Sequence, residues 1–304
     1  MILKKYFTVA ESDNERIDKF LSEELEDISR SRIQKLIKDG CLSVNGKTAK
    51  ASYILQAGDE LALEIPALKE PEIPAEDIPL EILYEDDDLI FVNKPKGMVV
   101  HPAPGHYTGT LVNALMYHFK DSLSGINGEL RPGIVHRIDM DTTGVLVVCK
   151  NDKAHAALSE QLKEHSITRV YEAIVTGNIK EDTLTIDKPI GRDIKDRKKM
   201  SVHSKTPREA VTHVQVLKRF GDYTYIKCQL ETGRTHQIRV HLKSIGHPLL
   251  GDSLYGPKNA PFKNLQGQTL HARILGVLQP TTGEHLEIEA PLPDYFSKLL
   301  EIMG

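Results

Sequence analysis

The chain has 304 residues with 39 lysines and arginines against 43 aspartates and glutamates, a formal net charge of −4 that argues against indiscriminate coating of nucleic acid. That length allows one large domain, or a large one plus a small one. No apolar run approaches the ~20 residues that cross a bilayer, and the N-terminus, MILKKYFTVAESDNER, turns polar too early for a secretory signal.

Cys41, Cys149 and Cys228 are scattered and form no Cys-x-x-Cys pair. They fit reduced thiols in a cytoplasm and speak against a structural zinc site.

In residues 15–26, ERIDKFLSEELE, the side chains Ile17, Phe20, Leu21 and Leu25 share one helical face. SRSRIQKLIKDG predicts a second helix, with Ser29 or Ser31 as cap, Ile33, Leu36 and Ile37 as apolar face and Gly40 as stop. CLSVNGKTAK alternates around Asn45-Gly46, a hairpin turn signal, and LQAGDELALEI adds a turn and a strand. Arg30, Arg32, Lys35, Lys38, Lys47 and Lys50 face only Asp39 in this stretch. A solvated basic face is the bland account of it, and a grip on phosphates the functional one.

The Pro-rich, acidic passage 66–79 can continue neither a helix nor a central strand. A linker is therefore placed at 73–79, between a first domain at 12–72 and a second at 80–304. From residue 80 the texture is mostly β: LEILYEDDDLIFVNKP, RVYEAIVTG, AVTHVQVLKRF, YTYIKCQLE and EHLEIEAPL, with helical stretches at 110–119, 152–165, 235–245 and 293–302. Strands and helices do not alternate strictly. The expected fold class is α+β: a small αα/β module, then a larger domain with a mostly antiparallel mixed sheet and flanking helices.

Residues 133–151, GIVHRIDMDTTGVLVVCKN, read as strand, tight polar turn, strand, with His136, Arg137, Asp139 and Asp141 in the turn. Asp139-Met140-Asp141-Thr142 fits the Asp-x-Asp-x-Thr signature of haloacid-dehalogenase-type phosphatases. That chemistry needs alternating strands and helices and a later carboxylate pair for the metal, and neither is apparent. His236 and His241 are five apart rather than the four that place two imidazoles on one helical face, so no metal is expected. Further on, RDIKDRKKMSVHSKTPR, residues 192–208, looks like a long basic loop between strands. It is either a solvated insertion or an arm for phosphates.

Several segments together resolve these alternatives. RIDKFL, SRSRIQKLIKDG, LSVNG and LQAGDEL, in that order, resemble the S4 RNA-binding domain. RPGIVHRIDMDTTG, RVYEAIVTG and TGRTHQIRVHL, flanked by HPAPGHYTGTLVNAL and GHPLLGDSLYG, resemble the RluA-type pseudouridine synthases, in the RluD-like branch that carries an S4 module. The likeness runs from about residue 80 to the C-terminus, with Ile138 where the family usually has Leu and Thr143 where Ser is common.

The resemblance implies an isomerase that flips a uridine out of RNA, detaches the base, rotates it and rejoins it through carbon, with no cofactor. It implies Asp139 as nucleophile, Arg234 as its basic partner and Tyr171 as the side chain that stacks on the uracil and can supply a proton. Arg137 would enter the space the nucleotide leaves, while His136, Asp141 and Thr142 shape the turn. Without the likeness, Tyr171 reads as a strand-core tyrosine and Arg234 as a surface arginine before a helix capped by Thr235. Substrate contacts are expected from Arg30, Arg32, Lys35, Lys38 and Lys47, and from Arg197, Lys198 and Lys199. The expected partner is large-subunit ribosomal RNA or a pre-ribosomal particle, bound by a cytoplasmic monomer without membrane contact. The alternative from another class is an S4 module on an inactive domain, an RNA-binding assembly factor.

Overall fold

The computed structural model describes residues 2–10, 15–25, 28–66, 73–103, 105–119, 122–126, 132–257, 262 and 265–304. The chain divides into two compact units, Met1–Glu70 and Pro71–Gly304. Among the described residues, no helix is long and apolar enough to cross a membrane.

The first unit runs β1 (Ile2–Thr8), α1 (Ile17–Glu24), α2 (Arg30–Lys38), β2 (Leu42–Val44), β3 (Lys47–Thr48) and β4 (Glu60–Pro66). Its sheet has the order β1-β4-β2-β3, antiparallel throughout. The β2–β3 turn places Asn45 at φ 50° and Gly46 at φ 76°, the left-handed pair a two-residue hairpin requires. The apolar faces of both helices, with Ile17, Leu21, Ile33, Leu36 and Ile37, close on Leu42, Leu61 and Leu63 of the sheet. β1 was not expected, because the first domain was begun at residue 12. It pairs with β4 from Ile2↔Pro66 to Thr8↔Glu60.

The second unit begins with residues 73–79, read from sequence as a linker. The Pro74 carbonyl accepts from Asn113 Nδ2 at 2.8 Å, Glu76 N–H donates to the Asn113 carbonyl at 3.0 Å, and Ile73 and Ile78 pack against the main core. The segment is thus fastened to the unit it precedes.

There follow β5 (Glu81–Glu85), β6 (Leu89–Lys94), α3 (Leu111–Phe119), β7 (Thr143–Cys149), α4 (Asp152–Lys163), β8 (Thr168–Thr176) and β9 (Thr183–Asp187). Then come β10 (Gly191–Arg192), β11 (Met200–Ser201), β12 (Val211–Arg219), β13 (Tyr223–Leu230), α5 (Gln237–Ser244), β14 (Leu270–Leu278), β15 (His285–Glu289) and α6 (Asp294–Met303). A nine-stranded sheet runs β5-β6-β7-β14-β8-β13-β12-β9, with β15 on β14. Its ladders are antiparallel apart from β7–β14. This is the mostly antiparallel α+β arrangement, and it lacks the strict strand–helix alternation of the phosphatase alternative.

β7 is buried at every position, which explains its unbroken apolar run, TGVLVVC. Its first pairs with β14 are His271↔Thr143 and Ala272↔Gly144. A Cβ on Gly144, at φ +109°, would fall on the Ala272 carbonyl oxygen, so only glycine lets these two backbones meet. The stretch Gly133–Val135, expected as a strand, makes only an isolated bridge, Ile134↔Val148. β9 and β14 were not singled out. In β14, LHARILGVL, His271 and Arg273 interrupt the apolar pattern.

Candidate active site

The turn 136–142 ends where β7 starts, at the centre of the sheet, and is held from below by buried groups. Lys94 is fully buried and its ammonium donates to the carbonyls of Pro95 (2.8 Å), Met98 (2.8 Å) and Met140 (2.9 Å). Those three bonds use all its protons. Burial lowers its pKa to about 7, against the opposing pull of Asp141 and Asp139. His136 Nε2 accepts the Val147 N–H at 3.1 Å. Burial and the nearby Arg169 lower its pKa to about 4, so the ring is neutral and ties the turn to β7. Thr142 Oγ1 accepts from Gln268 Nε2 at 3.1 Å.

This scaffold presents Asp139, 19% exposed, to a cleft lined by Arg137, Tyr171, Leu230, Arg234, His236 and Arg239, among others. Arg239 Nη1 donates to Asp139 Oδ2 at 2.7 Å. Behind it, Arg239 Nε and Nη2 fork onto Asp252 at 2.7 and 2.9 Å. Asp252 Oδ1 also accepts the amides of Leu254 (2.9 Å) and Tyr255 (3.0 Å). Burial pushes Asp252 up, but the hydrogen bonds and charge of Arg239 outweigh it and leave the carboxyl below its ordinary value. Burial likewise opposes the charge of Arg239, and the two carboxylates more than restore it.

Arg239, and not the expected Arg234, makes the hydrogen bond to Asp139. Arg234 Nε donates to the Glu209 carbonyl at 2.9 Å, and its amide to Gln237 Oε1 at 2.9 Å. Its guanidinium belongs to the cleft wall. Nor does Thr235 cap the helix. α5 starts at Gln237 with His236 at the cap position, in the left-handed region at φ 56°. Shifting the helix start moves the inward face from Arg234 to Arg239. The two arginines stand five residues apart in GRTHQIR, and only the boundary decides between them. A usable signal was Asp252 in GHPLLGD, an acid within an apolar stretch that needs a buried cation.

Tyr171, on β8, forms another wall. Burial, partly opposed by Arg169, raises its hydroxyl to about 12, so it keeps its proton. Arg137 is exposed on the turn. Asp141 lies against Gly267, where an added Cβ would collide with its carboxylate, and lines an adjoining cleft with Asp139, His236 and Arg239.

The expected RNA contacts divide. Lys35, Lys38 and Lys47 are exposed and Arg32 half-buried. Arg30 is exposed too, but its Nε also donates to the fully buried Asp18 at 3.1 Å, beside Arg16 (2.9 Å) and Gln34 (2.5 Å). Burial raises the Asp18 pKa, and those hydrogen bonds bring the net shift downward. In the second unit, 192–208 is no open loop. β10 and β11 pair antiparallel, Gly191↔Ser201 and Arg192↔Met200, with Arg197 and Lys198 exposed near the tip and Lys199 half-buried. Among the described residues no group of three or more His, Cys, Asp or Glu is placed to hold a metal.

Comparison with known proteins places the chain in a family. The profile described as RNA pseudouridylate synthase matches residues 88–244, and that of the S4 domain residues 15–61. An uncharacterized RNA pseudouridine synthase of Bacillus subtilis is 55% identical over 291 residues, 96% of this chain and 95% of the relative. The ribosomal large subunit pseudouridine synthase D of Zymomonas mobilis is 44% identical over 298 residues, 95% and 93% of the two chains. Among solved structures, human RNA pseudouridylate synthase domain containing 1 superposes with a TM-score of 0.59 at 27% identity, covering 76% of this chain and 96% of its own. With an S4 domain ahead of a pseudouridine-isomerising unit, the chain belongs to the RNA pseudouridine synthase family.

Proposed function

We propose that the protein converts uridine to pseudouridine in large-subunit ribosomal RNA, with Asp139 as the nucleophile. The observation that carries this reading is the Asp139 carboxylate, partly open to a cleft and held at 2.7 Å by a doubly paired arginine. The substrate class is supported by relatives named ribosomal large subunit pseudouridine synthase D, from three bacteria.

In the reaction the N1–C1′ bond breaks, the uracil turns, and C5 bonds to C1′. C5 gives up its hydrogen as a proton and N1 gains one. Atoms and charge balance without an oxidant, reductant or cofactor. The flipped uridine would enter the cleft at Tyr171, whose ring offers a stacking face worth ~1–3 kcal/mol. Arg239 gives the Asp139 carboxylate a charged hydrogen-bond donor at 2.7 Å and fixes its orientation in the cleft. A carboxylate held this way can form a covalent link and leave again. Tyr171, protonated at neutral pH, is placed to exchange a proton while the base turns. Arg137, on the rim, is placed to fill the helix position the nucleotide vacates. The exposed cations of α2 and the β10–β11 hairpin would supply phosphate contacts.

The test is tritium release from large-subunit ribosomal RNA carrying 5-tritiated uridine, in EDTA, beside Asp139→Asn. Metal-independent release that disappears in Asp139→Asn, with RNA affinity kept within about tenfold, is the expected result. Release that survives the substitution would remove Asp139 as nucleophile. Binding without release from free RNA or precursor particles would turn the reading toward an assembly factor.

A further inference from the structure

The basic hairpin reaches the surroundings of Asp139 through the Tyr255 hydroxyl. The Met200 N–H, at the start of β11, donates to Tyr255 Oη at 2.8 Å. The same oxygen lies 2.8 Å from His236 Nδ1, and His236 Nε2 lies 3.8 Å from Asp139 Oδ1. The Tyr255 ring also sits against the guanidinium of Arg239, 5.1 Å from its centroid, and Arg239 holds the other oxygen of Asp139. Both carboxylate oxygens thus lie next to a group that touches Tyr255.

The hairpin is not loosely attached to this tyrosine. Ile190, Ala210, Val240 and Tyr255 form a small core of their own, with Met200 and Val202 packed on it. Movement of the β11 backbone is therefore movement of the Tyr255 environment.

The proton positions follow from the donors. Burial holds the Tyr255 hydroxyl at about 12, so Oη keeps its hydrogen. With one lone pair taken by the Met200 amide, Oη has its hydrogen available to donate to His236 Nδ1. Burial also lowers the His236 pKa, with Asp139 opposing, so the ring is neutral. A neutral imidazole that accepts at Nδ1 carries its proton on Nε2, the nitrogen facing Asp139. His236 is a non-glycine residue at φ 56°, a costly conformation that the surrounding structure imposes.

Resting on the reading of Asp139 as the nucleophile of an RNA enzyme, we propose that Tyr255 is a positioning residue. It couples the seating of RNA phosphates on the basic hairpin to the tautomer and orientation of His236, and so to Asp139. At 3.8 Å the His236–Asp139 contact is longer than a hydrogen bond. RNA that pulls the hairpin toward itself shifts the Met200 amide and, through Oη, draws this contact shorter.

Tyr255→Phe keeps the ring, its packing and its place on Arg239, and removes Oη alone. With RNA saturating, single-turnover tritium release should fall about tenfold or more, while RNA affinity stays within about twofold. Neutralising the hairpin tip with Arg197→Ala and Lys198→Ala should lower both affinity and the saturated rate in the wild type. In the Tyr255→Phe background it should lower affinity alone. An unchanged saturated rate in Tyr255→Phe, or an equal hairpin effect in both backgrounds, overturns the coupling.

Imidazole nitrogen resonances of His236 give a readout independent of turnover. The wild type should show a single Nε2–H tautomer that shifts on RNA binding, and Tyr255→Phe a mixture that does not shift. The same shift in both proteins overturns the proposal. A wild type that releases no tritium overturns the reaction reading instead, and the resonances still decide the coupling.

Discussion

Arg239→Leu removes a guanidinium that holds two carboxylates, and the consequence can be worked from the contacts. Asp139 loses its donor at 2.7 Å. Asp252, fully buried, loses two charge-assisted bonds and keeps only the amides of Leu254 and Tyr255. Removing one partner of a buried pair costs about 3–5 kcal/mol. At ~2–4 °C per kcal/mol for a unit of this size, melting should fall by roughly 6–20 °C at pH 7. Tritium release should fall by about 100-fold or more.

The pH dependence has a definite sign. In the wild type the folded pKa of Asp252 is depressed below 3.8. Its stabilisation is complete above the unfolded value and is lost only as pH falls through the lower folded one. In Arg239→Leu burial, the largest influence on this group, is opposed only by the Leu254 and Tyr255 amides, so the folded pKa should rise above the unfolded value and Asp252 should take up a proton as pH drops. The gap between the two proteins should therefore narrow from pH 7 to pH 4.5 in thermal melts followed by circular dichroism. A variant melting within about 2 °C of wild type at pH 7, or a gap that stays constant with pH, would refute the reasoning.

Other substitutions probe the scaffold. Lys94→Met keeps the volume but takes a donor from the Pro95, Met98 and Met140 carbonyls; Met140 keeps the Gly97 N–H at 3.0 Å, leaving two without a partner at ~1–3 kcal/mol each, so melting should drop by roughly 4 °C or more. A drop under about 2 °C would mean those carbonyls find other donors. Gly144→Ala places a methyl on the Ala272 carbonyl and should leave the second unit unfolded, seen as loss of its cooperative transition. Lys198→Ala should lower the slope of log affinity against log salt by about 0.7–0.9. Its choice of uridine should not change, and a variant with wild-type slope would remove Lys198 from the phosphate contacts.

Much of the site could be read before any coordinates, for local reasons. Asp139 and Arg137 stand in one polar turn between apolar runs, and Tyr171 in a strand whose pattern is plain. The strand expectation fell short at Gly133–Val135 because the run meets β7 through one bridge, Ile134↔Val148, and the Cys149–Gly133 hydrogen bond rather than through a ladder. Arg239 was missed because its value depends on where α5 begins and on Asp252, neither of which local pattern fixes. The tie between Arg30 and Asp18, 12 positions earlier in the chain, was hidden for a similar reason, because local pattern does not show which partner an exposed cation takes. β14 was invisible because a strand buried between two neighbours can carry a histidine and an arginine when other groups bond them. His271 has Thr143 Oγ1 at 2.8 Å, and Arg273 pairs with Glu172 and Glu289.

The parallel contact of β7 with β14 sets an order of assembly. Thr143 and His271 are 128 positions apart, and Asp139 and Arg239 are 100 apart. At ~5–20 residues per second of synthesis, a ribosome would need roughly 6–26 s after making the Asp139 turn before β14 is available. Until then β7 lacks a neighbour on that side and Gly144 has nothing to approach. Closing so long a loop also makes folding slow. The central sheet, and with it the competence to modify RNA, is completed late, so a nascent chain can carry its finished S4 domain well before it carries a working catalytic pocket.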